Sequence, residues 1–160
     1  MSVDCSDEHG ATPRNDAIRL LARREYSRAE LVQRLALRAH APDVITACLD
    51  ELAESGLQSD QRFTESFLRS RIMRGQGPLK IRGELERRGI ERDLITATLS
   101  NAEHAGEVDW YALAATTLAR RFNDPGDSPR ERARRERFLA SRGFSFDQVR
   151  HALEQLNDAN

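Results

Sequence analysis

The chain repeats itself, and that constrains its fold more than any single motif. The stretches "AELVQRLALRAHAPDVITACL" and "LKIRGELERRGIERDLITATL" align at an offset of 50, which sets Leu31 on Ile81, Leu35 on Leu85, Val44 on Leu94, Ile45 on Ile95 and Leu49 on Leu99. A third stretch, "RRERFLASRGFSFDQVRHAL", follows the second at an offset of 54, with Leu85 on Leu139, Gly89 on Gly143, Ile95 on Val149 and Leu99 on Leu153. Repetition at such a period marks tandem structural units that share surfaces with their neighbours. A chain of 160 residues holds three of them.

Each unit reads as helices. Val44, Cys48 and Leu52 recur at i, i+4 and i+8, flanked by Ile45 and Leu49, and form one apolar stripe. Capping boxes are expected at Ser27 with Glu30, Ser128 with Glu131 and Ser145 with Gln148. Gly77-Pro78 takes the slot of Ser27 in the second unit, so the glycine-rich "GQGP" is first of all a helix start. Gly56, Gly89, Gly106 and Gly143 stand where helices stop. The reading is all-α, with three triplets of helices: 15–24, 28–38 and 42–54, then 60–74, 78–88 and 92–103, then 109–122, 129–142 and 146–157. The units are placed at 14–57, 58–106 and 107–160, behind a disordered acidic tail at 1–13. Units this small must share a core or stack in series as an elongated, curved modular rod. The loop "NDPGDSP", Asn123 to Pro129, is expected to act as a hinge.

Few classes of chemistry find support. There is no GxxxxGK[ST] after a strand, no GxSxG and no HExxH. His9, His40, His104 and His151 occur singly, which does not make a zinc site. Cys5 and Cys48 form no CxxC pair, and no apolar leader or membrane run is present, so a reducing cytoplasm is expected. Phe63 and Phe67, one turn apart, and the pair Trp110-Tyr111 read as core or inter-unit packing.

The charge is arranged unevenly. The whole chain carries −1, yet Asp60 to Arg92 holds nine basic and five acidic residues, a local +4. Arg69, Arg71, Arg74, Lys80, Arg82, Arg87 and Arg88 lie there, and Lys80 is the only lysine of the chain. In the third unit Arg130, Arg132, Arg134, Arg135 and Arg137 crowd one helix, with Arg130, Arg134 and Arg137 on one face. Three readings stay open, two of them general. These are solvated faces laced with i,i+4 ion pairs, or a surface for an anionic partner, for which the flat arginine fork is well suited. A helix-turn-helix DNA binder is a third possibility, since a basic second or third helix fits that description.

Specific stretches resemble a known family. "ARREYSRAEL", "LQSDQRFTESFLRSRIMRGQGPLKIRGELERRGI" and "RRERFLASRGFSFDQVRHAL" look like the RecX family of regulatory proteins, over residues 14–157. The resemblance implies tandem three-helix repeats and a protein that binds the recombinase RecA. In that family the repeats lodge in the groove of the RecA filament on single-stranded DNA. There they inhibit ATP hydrolysis, strand exchange and co-protease activity, which modulates recombinational repair and the SOS response. It further implies no catalysis and no cofactor; a monomer is expected. The residues expected to meet partner or DNA are Arg69, Arg71, Arg74, Lys80, Arg82, Arg87, Arg88, Arg130, Arg132, Arg134 and Arg135.

Overall fold

Helix starts follow the N-cap chemistry written in the chain. The computed structural model describes residues 12–159, which form α1 (Pro13–Leu21), α2 (Arg28–Leu37), α3 (Pro42–Glu54), α4 (Asp60–Met73), α5 (Pro78–Arg87), α6 (Arg92–His104), α7 (Trp110–Arg121), α8 (Pro129–Ser141) and α9 (Phe146–Asp158). No strand occurs among the described residues. The Ser27 and Ser145 capping boxes form on both sides. The third does not. Ser128 accepts the Glu131 N–H, but the Glu131 carboxylate turns outward and takes the Asp127 N–H at 2.7 Å.

The first helix begins earlier than expected, because Thr12 caps it by accepting the Asn15 N–H and Pro13 occupies its first turn. The proposed tail otherwise falls on residues 1–11, which lie outside the described part. The apolar stripe of α3 also sits one position round from its reading. Ile45, Cys48, Leu49 and Leu52 are buried, whereas Val44 is exposed.

Three cores result, the middle and third of which share Leu113 at their margins. The first gathers Ala17, Tyr26, Leu31, Leu35, Ile45, Cys48, Leu49 and Leu52. The third gathers Ala114, Leu118, Leu139, Phe144, Val149, Ala152 and Leu156. The middle one holds Phe63, Phe67, Leu68, Ile81, Leu85, Ile90, Ile95, Leu99 and Ala102, and also takes in Val108 and Trp110 from the segment that opens the third unit. Trp110 is therefore inter-unit packing. It lies 5% exposed, and its indole N–H donates to Glu103 at 2.7 Å.

Helix ends use the left-handed conformation. Gly89 and Gly143, at φ 80° and 96°, follow α5 and α8. The matching position after α2 is Ala39, forced to φ 64°. A Cβ there is strained, since only glycine enters this region freely.

The expected hinge is pinned. Asp124 accepts the Gly126 N–H at 2.9 Å. The Arg135 guanidinium donates to the Asp124 carbonyl at 2.7 Å, to the Asp124 carboxylate at 3.2 Å and to the Glu131 carbonyl at 3.0 Å. It also lies 4.4 Å from the centre of the Phe122 ring. The sequence signals of a loop were right, but the buried arginine that fixes this one comes from the next helix.

Candidate functional site

Two junctions join the three units, and both use the same parts. In the first, Ser27 Oγ, at the start of α2, donates to the carbonyl of Arg88 at the end of α5, 2.8 Å away. In the second, the Gly77 N–H, at the start of α5, donates to the carbonyl of Arg142 at the end of α8, 2.7 Å away. Ser27 and Gly77 are equivalent by the repeat, as are Arg88 and Arg142. The start of each middle helix thus docks on the end of the next one.

The chemistry of the two junctions differs. At the first, the Arg28 N–H donates to Asp60 at 2.8 Å, and Gln58 Nε2 donates to the Tyr26 carbonyl at 3.3 Å. At the second, Pro78 stands where Arg28 was and has no N–H, while Trp110 stands where Asp60 was and offers no acceptor. Backbone contact replaces the missing bond. The Leu79 N–H donates to the Gly143 carbonyl at 2.9 Å, and glycine on both sides permits this approach.

Glu30 is the electrostatic centre of the first junction. It pairs with Arg24 at 3.1 Å and with Arg88 at 3.0 Å, and it accepts the Ser27 N–H. Burial by itself would raise the Glu30 pKa. The Arg24 hydrogen bond, the Ser27 N–H and the two positive charges outweigh that and hold it below its ordinary 4.5. A carboxylate whose folded pKa is lowered contributes stability that is complete above about pH 4.5 and is lost as pH falls through the folded value. Unfolding by urea from pH 7 into the acid range is therefore expected to show a steeper loss below about 4.5 for the native chain than for Glu30→Gln. Parallel curves would mean that Glu30 contributes nothing to that slope.

The basic residues singled out from sequence divide into engaged and exposed. Arg71 pairs with Glu84 at 3.4 Å and lies 4.5 Å from the centre of the Phe67 ring. Arg88 is held by Glu30, and Arg82 donates to Thr96 at 3.1 Å. Arg135 is buried and fully committed to its own loop, which removes it from any partner surface. Arg69, Arg74, Arg87, Arg130, Arg132 and Arg134 are exposed, and Lys80 is half-buried.

Two of the exposed ones line different concavities. Arg69 lines a concavity between α4 and α6 with Gln61, Glu65 and Asn101. Arg74 lines a different one at the second junction, with Arg120, Arg121 and Arg142. Those last three were not singled out from sequence. Aligning Arg88 with Arg142 through the repeat was the signal that could have found one of them. No cluster of three or more metal-ligating side chains occurs among the described residues, and burial raises the pKa of the Cys48 thiol. No described helix is long and apolar enough to cross a membrane.

Comparison with known proteins agrees with this architecture at each unit. Residues 14–52, 59–99 and 107–153 match RecX, first, second and third three-helix domain, respectively. The chain is 61% identical over 144 residues to Regulatory protein RecX of Chromohalobacter salexigens, covering 89% of this chain and 91% of that protein. To the protein of the same name from Halorhodospira halophila it is 48% identical over 141 residues, covering 87% and 84%. The crystal structure of RecX from Lactobacillus salivarius superposes with a TM-score of 0.74 over 92% of this chain and 96% of that one, at 24% identity. Three matched domains in series and close relatives along nearly the whole length place this chain in the RecX family of regulatory proteins.

Proposed function

We propose that this chain regulates the recombinase RecA by binding its filament on single-stranded DNA and inhibiting ATP hydrolysis, strand exchange and co-protease activity, without catalysis of its own. The observation that carries the reading is the serial fold of the RecX family, with exposed arginines spread along its second and third units. A series of small units joined end to end reaches across neighbouring protomers of a helical partner, which a single compact domain of this size does not. A protein that bridges protomers opposes the rearrangements that accompany hydrolysis. Exposed charge contributes more to encounter rate and register than to raw affinity.

The test is RecA ATPase on single-stranded DNA with this protein titrated from well below one copy per RecA. Inhibition is expected, weakened in Arg69→Gln/Arg74→Gln/Arg87→Gln and more salt-sensitive in the native chain than in that variant. Inhibition far below one-to-one would point to filament ends, and inhibition near one-to-one to occupancy of the groove. A chain that leaves the ATPase untouched at every ratio would overturn the proposal.

A further inference from the structure

The two junctions are built alike, so each serves as a control for the other. At the first, one carboxylate, Glu30, neutralises Arg24 and Arg88. The repeat maps Arg24 onto Arg74, Arg88 onto Arg142 and Glu30 onto Lys80. The second junction has therefore kept both arginines and exchanged their shared carboxylate for a cation. Two further arginines are added from the end of α7. Arg74, Arg120, Arg121 and Arg142, with Gly75, Thr117 and Phe138, line a notch of about 210 Å³ that no Asp or Glu enters. None of the four makes a salt bridge among the described residues, whereas Arg71, Arg88 and Arg135 elsewhere in the chain are all paired.

Four guanidinium groups in so small a space repel one another unless an anion stands between them. Two features argue for phosphate. Arginine presents parallel N–H donors that fit phosphate oxygens in pairs. A strand that carries a charge at every nucleotide can also engage several of these groups at once, which a lone carboxylate does not. Arg142 is held in place for the task. It donates to the Arg74 carbonyl at 3.4 Å and packs 5.2 Å from the centre of the Phe138 ring.

We infer that the notch at the second junction binds the phosphodiester backbone of a single-stranded nucleic acid, with Arg74 reaching from the second unit and Arg120, Arg121 and Arg142 from the third. A bound strand then ties the two units together at their joint. This deepens the filament reading, yet its test omits RecA, so the two can fail separately.

The experiment is fluorescence anisotropy of a labelled single-stranded oligonucleotide with the full chain over a range of salt. Two variants address the site. Arg120→Gln/Arg121→Gln removes exposed groups, and Lys80→Glu returns to the second junction the charge that the first one has. Arg14→Gln/Arg92→Gln, an equal charge change elsewhere, is the control, and circular dichroism confirms that each variant is helical. The double variant is expected to bind about tenfold more weakly, with a log–log salt slope smaller by about 1.4, near 0.7 for each phosphate no longer neutralised. Lys80→Glu is expected to weaken binding in the same direction, and the control to change little. Site variants that behave like the control would overturn the inference. So would inorganic phosphate protecting the fold saturably while the oligonucleotide does not bind, which would make this a small-anion site. Intact strand binding by the site variants together with loss of RecA inhibition would also overturn it, and would assign the notch to carboxylates of a protein partner.

Discussion

Gly143→Ala is expected to destabilise the chain by about 3 kcal/mol or more. Two independent costs add. Gly143 sits at φ 96°, where a Cβ costs about 1–2 kcal/mol. The new Cβ would also overlap the Lys80 Cβ and stand 2.6 Å from the Lys80 backbone nitrogen, and forced overpacking costs about 1–3 kcal/mol. Gly106→Ala is the comparison. That glycine has φ 72° but nothing within 4 Å of its would-be Cβ, so only the conformational cost applies. Urea unfolding of both variants separates the terms. Equal losses would mean that the second junction yields easily and is not close-packed. Gly77→Ala gives an independent check, because its Cβ would overlap the Gly143 carbonyl and stand 2.5 Å from the Phe144 nitrogen.

Trp110→Ala is expected to cost about 3–5 kcal/mol, the range for emptying a buried aromatic site. The loss should fall on the middle unit, although the residue belongs by the repeat to the third. Its ring fills the core built by Phe63, Phe67, Ile81 and Leu99. Trp110→Phe keeps much of that packing but drops the N–H bond to Glu103, worth about 1 kcal/mol. Limited proteolysis shows which unit opens. Cleavage in α7–α9 ahead of α4–α6 would contradict the assignment of this side chain to the middle core.

Most of the architecture was legible because it is written locally. N-cap serines, prolines in first turns and glycines after last turns are one- and two-residue signals, and the repeat multiplied each by three. The errors came where a partner lies far along the chain. Arg135 looks like its neighbours on a basic helix, and only Asp124, eleven positions back, distinguishes it. Val44 and Ile45 are both apolar and adjacent, and a turn of one position decides which is buried. Arg120 and Arg121 end a helix with no motif around them. They come to line one concavity with Arg74 and Arg142 only in the folded chain. "GQGP" is a helix start, as its residues imply, but its first duty, letting two backbones touch, belongs to a contact between Gly77 and residues 142–144 that no local pattern announces.

A joint that sets the start of one middle helix on the end of the next is head-to-tail, and such an operation has no built-in stopping point. Applied once more, it would seat a fourth unit on the first turn of α8. That turn is already occupied. Gly126 lies against Glu131 and the Arg132 nitrogen, Asp127 holds the Glu131 carboxylate, and Arg135 clamps the loop from beneath. The four extra residues that lengthen the offset from 50 to 54 fall between the second and third units' matching stretches. The pinned loop thus covers, from within the third unit, the helix start that at the other two junctions is left open to the neighbouring unit.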